Sequence, residues 1–131
     1  MKTFLQVVLV FIIFLAVDLL WLGFIAKDLY GKSLAHIMAP KVNWMAALLF
    51  YAIFVFGLWV FVIQPALIHQ NWLELIGKAA LFGLVTYATY DLTNLATAKD
   101  WPLLITIIDL MWGTTLSIVV SSLSYLILRL F

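Results

Sequence analysis

Apolar residues run almost unbroken through four stretches, at about residues 4–26, 42–64, 73–97 and 102–128, and polar residues collect in the three gaps between them. Each stretch is apolar around most of its circumference, as a buried or lipid-embedded helix requires. At about 1.5 Å per residue each also reaches across a hydrocarbon layer of about 30 Å. The strict alternation of a membrane barrel is absent, so strands are not expected. Pro65 is expected to stop the second helix and Pro102 to open the fourth. In the long first gap, Leu29, Leu34, Ile37 and Met38 can form one face against Lys27, Lys32 and Lys41, which predicts a short interfacial helix ending near Pro40. The pattern therefore predicts an all-α fold: an integral membrane four-helix up-down bundle, one transmembrane domain over residues 1–131, with the interfacial helix between spans 1 and 2.

Composition agrees with the pattern. Of 131 residues 67% are hydrophobic and 10% charged, and the mean hydropathy is +1.20. A soluble domain is nearer 45 to 50% apolar with about 25% charged residues. A net charge of +1 without a basic cluster gives no purchase on nucleic acid. Without cysteine, disulfides and thiolate metal sites are excluded. The apolar run near the start is too long for the core of a secretory signal and is expected to be the first span. Sidedness stays open, because the positive charges tie: Lys27, Lys32, Lys41 and Lys99 fall on one side, and Lys2, Lys78, Arg129 and the terminal amine on the other.

Polar residues inside the spans carry the chemical signal. The phrase from Gly83 to Thr97 holds Asp91 and Asn94 among hydroxyls, and Asp18 and Asp109 sit in spans 1 and 4. Asp18-Leu19-Leu20-Trp21 and Asp109-Leu110-Met111-Trp112 also echo Asp91-Leu92-Thr93-Asn94, a faint hint of duplication. Counted from the nearest span end, all three acids lie roughly 9 to 12 Å below one surface. Tyr51 of span 2 reaches the same depth, and Tyr87, Tyr90 and Asn94 flank Asp91. Thr106, Asp109, Gly113, Ser117, Ser121 and Ser124 recur at steps of three and four, one small-residue stripe suited to helix packing in lipid. Gly83, Tyr87, Tyr90 or Asp91, and Asn94 form a similar stripe.

No Lys, Arg or His shares that depth, so three carboxyls gathered in low dielectric cannot all be ionised, and at least one is expected to hold a proton. The bland reading is that protonated Asp side chains act as interhelical glue. Such bonds contribute about 0.6 kcal/mol each, against an insertion cost of about 2.5 to 3.5 kcal/mol per charged residue. A binding or chemical role accounts better for their presence. Oxygen ligands alone would suit Mg, Ca or Mn, yet no metal site is predicted, and no cofactor is identified. Trp44, Trp72 and Trp101 read as interfacial anchors, whereas Trp21 and Trp112, each three residues after an Asp, read as cavity walls. His36 and His69 fall in connections and are expected to be solvated.

The segments DLLWLGFIAKDLY, VNWMAALLFYAIFVFGL, ALFGLVTYATYDLTNLAT and WPLLITIIDLMWGT together resemble a family of small four-span bacterial inner-membrane proteins catalogued as a domain of unknown function. The resemblance covers nearly the whole chain. It implies four transmembrane helices, a multi-pass location in the bacterial inner membrane and an association with gene clusters for lipid modification, and it carries no catalytic residue. The leading expectation from the residues is a site for a small amphipathic or lipid-like molecule. Asp18, Asp91 and Asp109 would form its floor, Tyr51, Tyr87, Tyr90 and Asn94 would orient the ligand, and Trp21 and Trp112 would be its walls. The alternatives are an intramembrane enzyme on a lipid or isoprenoid using Asp acid–base chemistry, and a proton-coupled transporter acting as a homo-oligomer. The expected partners are membrane lipid and that ligand.

Overall fold

The computed structural model describes residues 2–38 and 41–131, and no strand occurs among them. Five helices follow in order: α1 (Lys2–Ile25), α2 (Lys27–Ser33), α3 (Trp44–His69), α4 (Trp72–Thr97) and α5 (Leu103–Leu128). Three of them, α1, α3 and α5, are long and apolar enough to cross a membrane. Helix α4 is as long as α5, 26 residues, but carries Glu74, Lys78 and Asp91 and is less apolar than those three.

Local chemistry explains most of the boundaries. The Asn43 side chain accepts from the Ala46 N–H at 3.2 Å, and that of Asn71 accepts from the Glu74 N–H at 3.1 Å, so each caps the start of a long helix. Gln70 takes a left-handed conformation, φ 50°, to end α3. Ala26, at φ −111°, separates α1 from α2 while its N–H still bonds the Trp21 carbonyl at 2.7 Å.

Pro65 does not stop α3, which runs on to His69. The turn just before it, Trp59–Ile63, is widened into a π-helix, and the Gln64 N–H bonds back to the Trp59 carbonyl. A proline inside a helix lacks an N–H and crowds the turn before it. The wide turn makes room for the ring, and α3 continues. The connection to α4 accordingly shrinks to Gln70 and Asn71. The short helix after α1 is present but ends at Ser33, ahead of a turn through Ile37, and both Ile37 and Met38 are exposed. The expected stop at Pro40 lies outside the described residues.

Helices α4 and α5 form the closest pair. A methyl group added at Gly83 would lie 2.1 Å from the Gly113 carbonyl oxygen and 2.6 Å from the Ser117 hydroxyl, and one added at Gly113 would strike the Tyr87 ring at 2.3 Å. Glycine is what lets these two backbones meet, the usual device where helices associate in lipid. The expected stripe of α5 is buried throughout, from Thr106 through Asp109, Gly113, Ser117 and Ser121 to Ser124. Phe14 of α1 packs against Tyr51 and Phe54 of α3, and Phe54 packs in turn on Phe82 and Tyr87 of α4. The outer surface is a different matter. Phe24, Met45, Phe61, Leu73 and Met111 all project outward, far more apolar surface than a protein in water exposes and what lipid tails would cover.

Candidate functional site

Near one end of the helices the three acids come together, each buried. Asp18 follows Val10 and Phe14 at steps of four along the inward face of α1. The Trp112 indole N–H of α5 donates to Asp18 Oδ1 at 3.4 Å, and the Tyr51 hydroxyl stands beside the same carboxyl. Asp109 lies one helical turn from Trp112. Asp91, on α4, is fully enclosed next to Asp109, and neither of its oxygens has a hydrogen-bond donor among the described residues. Two carboxylates this close and this dry repel each other and leave lone pairs unsatisfied, whereas a proton held between them removes both costs.

The tryptophans expected as walls are joined face to face. Trp21 stacks on Trp112 with ring centroids 4.4 Å apart and planes 9° from parallel. The Trp21 indole N–H then donates to the Tyr30 hydroxyl at 3.2 Å, and that hydroxyl donates to Asp109 Oδ1. Tyr30 belongs to α2 and was not among the expected residues. Its signal is visible only afterwards: on a helix of seven residues, Leu29, Tyr30 and Ser33 are its only half-buried members. Burial, and then its bond to the Asp109 carboxyl, push the Tyr30 hydroxyl above the ordinary tyrosine range, so it stays a proton donor at any physiological pH.

These groups surround an open cleft of about 360 Å³. Of the nine expected residues, seven line it: Asp18, Trp21, Tyr51, Tyr87, Tyr90, Asp109 and Trp112, with Tyr30, Phe50, Leu22 and Ala47 completing the wall. A second cavity of about 280 Å³ shares Phe50, Tyr87, Tyr90 and Asp109 with it. Two expected residues do not reach the cleft. Asp91 supports Asp109 from behind, and Asn94 sits half-buried beside Tyr90. Tyr90 itself is 60% exposed and turns its ring edge to Trp101 at 5.7 Å.

Trp101, expected as an interfacial anchor, is buried within the protein and donates to the Thr106 hydroxyl at 3.0 Å. His36 and His69 are exposed, but each has a partner: His36 Nε2 lies 2.9 Å from the Asp100 carbonyl, and His69 lies 3.0 Å from Glu74 in the chain Glu74–Lys78 extends. Among the described residues no group of three or more His, Cys, Asp or Glu is arranged to hold a metal ion. The cleft offers carboxyl acceptors, phenol and indole donors, and aromatic walls. Such a lining can orient a polar head while its apolar part stays against the rings.

One family model, described as "Predicted membrane protein (DUF2177)", matches residues 3–126. No curated protein and no solved structure matches the chain.

Proposed function

Since the chain belongs to the DUF2177 family of predicted membrane proteins, we propose that it is a single-domain, multi-pass protein of a bacterial inner membrane that binds a small amphipathic or lipid-like molecule in the cleft floored by Asp18 and Asp109. In this reading α4 is a fourth span, completing an up-down bundle. Its support is that Leu73, Leu81, Leu84 and Val85 project outward from α4 just as the apolar residues of its neighbours do. The observation that carries the binding role is the convergence of two carboxyls, four phenols and two stacked indoles on one open cleft. Polar groups so placed in an apolar setting are costly unless something uses them. The test is lipid analysis of material that co-purifies in mild detergent. Wild-type protein retains a defined amphiphile that Asp18→Asn and Asp109→Asn lose while remaining folded; retention in both variants rejects the reading.

A second reading has its own observation. Tyr30 and Asp109 at the cleft wall, with Asp91 behind Asp109, form a contiguous line of hydroxyl and carboxyl groups, the kind of arrangement that general acid–base chemistry on a bound lipid would use. A bell-shaped pH profile of turnover, abolished by Asp91→Asn, would support it.

A further inference from the structure

The mouth of the cleft differs in charge from its floor. Leu22 and Tyr30 line the acid cleft and also a recess of about 530 Å³ over α2, whose other walls are Lys27, Asp28, Gly31, Lys32 and Met38. The two spaces therefore meet across the Leu22 and Tyr30 side chains. Neither Lys27 nor Lys32 makes an ion pair among the described residues. On the floor, the donors offered to the acids are the neutral Trp112 indole, the Tyr30 phenol and the neighbouring Tyr51 phenol, with no cation among the described residues. Asp91, wholly buried behind Asp109, has no hydrogen-bond donor among the described residues.

Resting on the lipid-binding reading above, we propose that the ligand is an aminophospholipid, held with its protonated amine on Asp18 and Asp109 and its phosphate toward Lys27 and Lys32. Among the described residues the floor lacks positively charged N–H donors, and at the rim two lysines outnumber the single carboxylate of Asp28, so a head group with an ammonium a few bonds from a phosphate complements both. A purely anionic head would be repelled by the floor, and a neutral one would leave the rim lysines unused. The stacked Trp21 and Trp112 rings flank the position assigned to the amine, where an ammonium also gains from an aromatic face. The outward apolar residues Leu22, Phe24 and Ile25, next to the rim, would lie along the acyl chains.

The test is native mass spectrometry of the detergent-purified protein titrated with four lipids of matched acyl chains. These are phosphatidylethanolamine, its N-acetylated form, phosphatidylcholine, whose cation has no N–H, and phosphatidylglycerol. Phosphatidylethanolamine is expected to bind roughly tenfold or more tighter than the other three. Asp109→Asn should abolish that preference. The double variant Lys27→Ala/Lys32→Ala, at exposed positions that do not endanger folding, should weaken binding severalfold. Equal binding of phosphatidylethanolamine and its N-acetylated form, or an unaltered lysine variant, overturns the assignment. If another lipid then still binds in a manner that Asp109→Asn abolishes, the cleft reading stands without it. If no lipid responds to Asp109→Asn in folded protein, both fall.

Discussion

At the scale of single residues, Tyr30 ties a seven-residue helix to the acid layer through two hydrogen bonds, one to a carboxyl. Tyr30→Phe removes both and should lower stability by about 1 to 3 kcal/mol, read as a drop in the thermal unfolding midpoint in detergent. The loss should also depend on pH in a defined direction. The folded-state hydroxyl titrates above the free value of about 10, so above that pH the unfolded chain sheds a proton that the folded chain keeps. The unfolded state then binds fewer protons, and stability falls as pH rises. Wild type should therefore lose its advantage over Tyr30→Phe progressively from about pH 10 upward; a constant difference through that range would contradict the assignment. Sequence alone could identify Asp18, Asp91 and Asp109, because an acid in an apolar run is conspicuous. It could not identify Tyr30, because an aromatic residue in a polar connection is ordinary and only its distant partner makes it notable.

At the scale of helices, position along the helix was legible and orientation only in part. The stripe from Thr106 to Ser124 faces inward because steps of three and four keep to one side of a helix. Tyr90 and Asp91 are neighbours about 100° apart around α4, so only one can face α5, and it is the acid. The end of α3 was misread for a different reason. Proline normally breaks a helix, but a widened turn placed just before Pro65 absorbs the clash, and no residue pattern announces such a turn. Trp101 was misread because a tryptophan at a span end usually marks the interface, whereas here Thr106 offers its indole a buried partner.

The α4–α5 contact gives a paired test. Gly83→Ala forces a methyl group into the Gly113 carbonyl and should destabilise by about 1 to 3 kcal/mol. Gly77→Ala, on the same helix with nothing within 4 Å, should leave stability unchanged or slightly raised. Thermal unfolding of the two variants side by side decides it, and equal losses would mean that the close approach is not what Gly83 serves.

At the scale of the whole molecule, an all-helical membrane protein was legible from the apolar runs alone, because length and hydropathy bear directly on whether a helix can cross lipid. The status of α4 was not, since the residues that make the site also dilute its apolarity. Because the chain contains no cysteine, single cysteines can report topology without background. If α4 crosses the membrane, His36→Cys and Asp100→Cys should be labelled by an impermeant thiol reagent from one side and Gln70→Cys from the other. His36 and Asp100, already in contact, serve as an internal control for each other. Labelling of Gln70→Cys and Asp100→Cys from the same side would remove α4 as a span.

The cleft is a place where a ligand sits, or it has no role as a site. An experimental structure of the protein crystallised from a lipidic phase tests this most directly. It should show non-protein density between the Trp21–Trp112 pair and Tyr87, with a polar end within hydrogen-bonding reach of Asp18 or Asp109. Asp18 or Asp109 turned outward among acyl chains, or the cleft filled by the protein's own side chains, would contradict it.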